Sequence, residues 1–115
     1  MEVKTKAELV SIIHDIIDKD YEFKKKVSQK VISAVVDTFF EVLKENIAKG
    51  NHIELRGFGT FETKIREPKK ALNPRTKEVV DVKRHAVPIF RAGRDLKNVV
   101  REYFNNNLLD KNTSN

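Results

Sequence analysis

The sequence has no cysteine and no tryptophan, only 3 prolines and 4 glycines, and no apolar run near the roughly 20 residues that cross a bilayer. Without cysteine there is no disulfide scaffold, no thiolate zinc site and no cysteine nucleophile, and the reducing cytoplasm is the expected compartment. The start, Met1-Glu2-Val3, lacks the basic and apolar regions of a signal peptide, so a soluble protein with no membrane partner is expected. His14, His52 and His85 are singletons without metal-ligand spacing, and no nucleophile-elbow, Walker or dinucleotide-binding glycine pattern occurs. Glu41 and Glu45, spaced i, i+4, read as a solvated helix face rather than an acid/base pair. The expectation is a protein that is not an enzyme, with no metal, no cofactor and no small-molecule substrate.

What is present is 115 residues, 39% apolar and 35% charged, enough for one domain with a modest core. The net charge of +6 is unevenly spread. Residues 1–63 sum to −1, while residues 64–84 carry eight cations (Lys64, Arg66, Lys69, Lys70, Arg75, Lys77, Lys83, Arg84) against Glu67, Glu78 and Asp81. A solvated lysine face is usually balanced by neighbouring acids, so this block reads as a footprint for a polyanion, with a plain basic loop as the alternative.

Periodicity places the block in a fold. Thr5 and Glu8 have capping-box spacing, and Leu9, Ile12, Ile13, Ile16 and Ile17 then repeat as an amphipathic helix ending near Asp18 to Asp20. A second helix is predicted from about Phe23 to Ala48, stopped by Gly50-Asn51, with two apolar stripes. One is Val27, Val31, Val35, Thr38 and Val42. The other is Ile32, Val36, Phe39 or Phe40, Leu43 and Ile47. Two stripes exceed what one partner helix covers. Ile53 and Leu55 mark a short strand, Gly57-Phe58-Gly59 a turn or bulge, and residues 60–85 one long β-hairpin turning at Asn73-Pro74. Its distal half has almost no apolar residues and should project into solvent. Val87 to Phe90 returns as a strand, Gly93 opens a last helix through Phe104, and Asn105 onward reads as a polar tail. The small body carries all seven phenylalanines, six of them after Phe23, more apolar surface than it readily hides. An obligate dimer sharing one core is expected, a loosely covered monomer being the alternative.

A two-stranded ribbon is narrow enough to enter a groove of duplex DNA, with flanking Lys and Arg meeting the phosphates. Proline at its tip is rigid, apolar and without an N–H, so it can either wedge between base pairs or simply form the turn. A basic ribbon could also serve an RNA-binding or ribosome-associated protein, but residues 62–84 contain no aromatic side chain for stacking. A dimeric scaffold binding an acidic protein is a third class.

Three separated stretches resemble the bacterial HU and integration host factor family of DNA-bending proteins. They are Gly57-Phe58-Gly59-Thr60-Phe61, the arm tip Asn73-Pro74-Arg75-Thr76, and Val87-Pro88-Ile89-Phe90-Arg91-Ala92-Gly93-Arg94-Asp95-Leu96-Lys97. The resemblance implies an α+β fold in an intertwined homodimer: an N-terminal helical hairpin, a small antiparallel sheet extended into a long β-ribbon arm, and a C-terminal helix. It implies residues 1–104 as the family domain, an arm at about 64–84, a tail at 105–115, and a nucleoid location. The implied partner is double-stranded DNA, bent as two arms lie in the minor groove. Pro74 would intercalate, flanked by Asn73 and Arg75. Body contacts to phosphate would come from Lys6, Arg91, Arg94 and Lys97, and Arg56, Lys64, Arg66, Lys69, Lys70, Lys77, Lys83 and Arg84 would continue the track. Two departures stand out: the family usually has Gly-Arg before Asn-Pro and Gly after Thr, where this sequence has Ala71-Leu72 and Lys77. Ile53 to Gly57 resembles the integration host factor branch, in which the equivalent of Arg56 helps recognise sequence, so site preference is implied.

Overall fold

The computed structural model describes residues 2–20, 22 and 26–109. It divides into two compact units, Met1–Glu45 and Asn46–Asn115.

The first unit is helical. Helix α1, Lys6–Asp20, starts where the capping box predicts: the Glu8 N–H donates to Thr5 Oγ1 at 3.3 Å, and the Thr5 hydroxyl lies 3.3 Å from Glu8 Oε1. Its buried residue is Val10, whereas Leu9, Ile12 and Ile16 of the expected stripe are about half exposed. Helix α2 runs Gln29–Ala48, not from Phe23. Ser28 sets the start, its Oγ accepting the Val31 N–H at 3.1 Å, because a serine cap satisfies a donor that helix geometry leaves orphaned. Val27 precedes the helix, and Phe23 lies outside the described residues. The Gln29 amide donates to Ser11 Oγ at 3.0 Å. Of the two stripes on α2 the second is covered in part, with Ile32 and Leu43 buried and Val36 and Ile47 half-buried, but Phe39 and Phe40 are about half exposed. Val31, Val35, Thr38 and Val42 of the first are exposed.

The second unit takes in the end of α2 and then turns at Gly50, whose φ of +83° suits a residue without Cβ. Strands β1 (Ile53–Leu55), β2 (Gly59–Arg66) and β5 (His85–Ala92) form an antiparallel sheet in the order β1-β2-β5. The β1–β2 turn closes with Phe58 N–H donating to Leu55 O at 2.8 Å and Gly57 at φ +84°. Gly59 is required for packing: a Cβ there would lie 2.5 Å from the Arg91 carbonyl and from the Phe90 ring. Phe90 stacks obliquely on Phe61 (4.7 Å) and Phe58 (5.5 Å).

The expected single hairpin over residues 60–85 is two ladders. The β2–β5 pairing ends at Arg66 opposite His85, and a separate pair, β3 (Lys69–Leu72) with β4 (Val79–Val82), resumes at Lys69 opposite Val82. Glu67-Pro68 on one side and Lys83-Arg84 on the other lie in the gap, where Pro68 has no N–H to donate. Across the gap Arg84 Nε lies 3.7 Å from Glu67 Oε1, and His85 Nδ1–H donates to Lys83 O at 2.8 Å. Helix α3, Arg94–Phe104, follows Gly93, whose carbonyl accepts from Lys97 N–H at 3.0 Å. The expected tail starts instead as a π-helical turn, Asn105–Leu109, with Asn107 Nδ2 donating to Tyr103 O at 3.0 Å.

Candidate nucleic-acid interface

The ribbon brings the basic block together. All eight cations between residues 64 and 84 are exposed, and among the described residues only Arg84 has a carboxylate partner. The β3–β4 ladder pairs with no other strand. Cross-strand register sorts its side chains by face: Lys70, Leu72, Val79 and Asp81 share one, and Lys69, Ala71, Val80 and Val82 the other.

The tip is held by backbone and short polar side chains. Asn73 N–H donates to Glu78 O (2.8 Å) and Lys77 N–H to Asn73 O (2.7 Å), while Asn73 Oδ1 accepts the Arg75 N–H at 2.9 Å. Thr76 Oγ1 accepts from Glu78 N–H at 3.4 Å. Pro74 and Arg75 are thereby presented, exposed, at the apex, with Asn73 half-buried behind them. Lys77, where the resemblance would put glycine, does adopt the left-handed backbone, at φ +59°.

The body cations differ in state. Arg56, Arg94 and Lys97 are exposed. Arg56 borders a recess of about 410 Å³ between the β1–β2 turn and Gly93, ahead of α3. Arg91 is engaged: its Nη2 lies 2.9 Å from Glu62 Oε2 and 2.8 Å from Oε1. Glu62 is 4% exposed, and His52 Nε2 approaches it at 3.8 Å. Glu62 lies opposite Ile89, so Arg91 is its diagonal neighbour on the same face. Lys6 is in the other unit, ion-paired with Asp37. Sequence reasoning missed Glu62, which decides how free Arg91 is. It also missed Val79, which counting outward from the Asn73–Glu78 closure would have set opposite Leu72. Among the described residues no group of three or more His, Cys, Asp or Glu could hold a metal ion, and no helix is long and apolar enough to cross a membrane.

A three-stranded sheet prolonged into an exposed, cation-studded two-stranded ribbon defines a class of basic β-ribbon proteins. Residues 4–101 match the family model described as bacterial DNA-binding protein, and the chain belongs to that family, the HU family. It is 36% identical over 90 residues to DNA-binding protein HU-1 of Halalkalibacterium halodurans, covering 78% of this chain and 94% of that protein. It is 43% identical over 77 residues to DNA-binding protein HU of Lactococcus lactis, covering 67% and 80% respectively. Among solved structures, an Anabaena HU–DNA cocrystal structure is similar with a TM-score of 0.70 at 30% identity, over 84% of this chain and 97% of that one. A point variant of HU from Thermotoga maritima is similar with a TM-score of 0.56 at 27% identity, over 84% and 99%.

Proposed function

We propose that this chain is a non-enzymatic architectural protein of the bacterial nucleoid that binds double-stranded DNA as a homodimer and bends it. The observation that carries the reading is the ribbon, where eight exposed cations between residues 64 and 84 lie on and around a ladder that, among the described residues, pairs with no other strand, together with the family membership. The similar Anabaena HU, crystallised with DNA, supports the same partner. Dimerisation is supported by the apolar side chains that α2 leaves exposed, Val31, Val35, Phe39 and Phe40, and by how few apolar residues one copy buries: Val10, Ile32 and Leu43 among the described residues.

In this mechanism each arm lies in the minor groove, its flanking cations meet phosphates, and Pro74 enters a base step. Lys64, Arg66, Lys69, Lys70, Lys77, Lys83 and Arg84 carry the arm's phosphate contacts, and Asn73 and Arg75 flank the wedge. Arg56, Arg91, Arg94, Lys97 and Lys6 serve the body, Arg56 contributing site preference. Bending costs on the order of a few to ~10 kcal/mol, offset by phosphate contacts that only a curved duplex can make. The test is the bend angle, read by energy transfer between duplex ends with wild type and Pro74→Ala both saturating the DNA. Relaxation of the angle in Pro74→Ala is expected. An unchanged angle reduces Pro74 to a turn residue.

A further inference from the structure

The arm tip carries apolar surface that neither folding nor phosphate binding explains. Leu72 and Val79 are directly opposed across β3–β4, so their side chains stand together on one face, 62% and 66% exposed. They sit one residue outside the Asn73–Glu78 closure that presents Pro74, with Lys70 and Asp81 next on the same face. Exposed apolar side chains on a thin ribbon invite aggregation unless something covers them. The cations around this pair, Lys69, Lys70, Arg75 and Lys77, match a polyanion and disfavour a lipid interior or an apolar protein groove.

We infer that the Leu72–Val79 pair sits against the floor and sugar walls of the minor groove beside Pro74 and selects against guanine there. The inference rests on the DNA-binding reading above. In the minor groove A·T pairs present only acceptors, whereas G·C adds the guanine N2 amine as a donor. Leucine and valine offer that amine no acceptor, so covering it strips its water without replacement, which disfavours G·C by about tenfold in affinity. An A·T floor also loses water from its acceptors, but neighbouring Asn73 and Arg75 can donate to them.

Alternating dA–dT, dI–dC and dG–dC duplex polymers test this without knowledge of where the arms land. Inosine keeps the G·C major-groove edge but lacks the N2 amine. The full-length protein should bind dA–dT and dI–dC about equally and dG–dC about tenfold more weakly. Leu72→Thr with Val79→Thr supplies hydroxyl acceptors on equally β-suited side chains and should bring the three polymers within about twofold. Equal wild-type affinity for all three, or a preference that survives the double substitution, overturns the inference while leaving DNA binding intact. Failure to bind any duplex at low salt removes the DNA-binding reading itself, and this inference with it. Because both positions are exposed, an unchanged melting curve accompanies a valid comparison.

Discussion

The two ladders of the second unit are built from the same strand-turn-strand grammar and do opposite things. At the base, β2 and β5 pair over eight positions, the Phe58–Phe61–Phe90 rings pack together, and Glu62, the one buried acid among the described residues, is bonded to Arg91. In the distal ladder, β3 and β4 pair over four positions, no residue is buried, and the cations have almost no acidic partners. The base turns its strongest interactions inward, whereas the distal ladder leaves its cations for a ligand. Stability and binding should therefore be separable by position along one hairpin.

Salt dependence gives the largest effect. If about eight cations per dimer meet phosphates, log affinity falls against log salt with a slope near −7, at roughly −0.9 per contact, which is about 10⁴-fold between 50 and 200 mM. Lys69→Gln with Lys70→Gln removes four such contacts per dimer and should flatten the slope by about 3.6, at roughly −0.9 each, with no change in melting temperature. A wild-type slope shallower than about −2 would mean that the ribbon is not the binding surface.

At the base the balance reverses. Phe61→Ala removes a ring packed 4.7 Å from Phe90 and should cost about 3 kcal/mol of stability, measured by denaturant unfolding at fixed protein concentration. DNA binding under conditions where the variant remains folded should retain the wild-type salt slope. A change in slope would show that ring packing sets the arm's electrostatics, and the two ladders would not be independent.

How much of this was readable depends on whether the cause is local. Thr5 and Glu8 are three residues apart, so the start of α1 follows from spacing alone, and so do the Gly57 turn and the exposed tip. Ser28 marks the start of α2 but lacks the acid three positions on that completes a capping box, and the apolar periodicity running back to Phe23 outweighed it. Pro68 was a legible break that strand alternation on both sides concealed. The Glu62–Arg91 pair spans 29 residues and exists only because of the β2–β5 register, which no local pattern encodes.

That pair offers a sharper division between the ladders. Glu62→Gln keeps the shape and one acceptor for Arg91 but removes the charge, so stability should fall by about 1 kcal/mol. The same change frees the guanidinium from a carboxylate, so DNA affinity should rise and the salt slope should steepen by roughly 0.9 per copy if Arg91 reaches a phosphate. Stability and affinity moving in opposite directions would mark Glu62 as the residue that holds a body cation back. Affinity unchanged or lower would remove Arg91 from the phosphate track.

The smallest effect lies at Lys77. A side chain at φ +59° crowds the following carbonyl, a cost of roughly 1 kcal/mol that glycine escapes. Substituting glycine alone would confuse that relief with the loss of a cation, so the informative comparison is Lys77→Gly against Lys77→Ala, which remove the same charge. Both should flatten the salt slope equally, by roughly 1.8 per dimer if each Lys77 holds a phosphate. They should differ only in tip order. The Asn73 and Lys77 amides, which donate to Glu78 O and Asn73 O, should exchange with solvent about fivefold more slowly in the glycine variant, the equivalent of about 1 kcal/mol. Their melting temperatures should match, because the strand pairing of the distal ladder is separate from that of the base. If melting separates the two variants by several degrees, strain at the tip is felt at the base across Pro68, and the hairpin is one cooperative element instead of two.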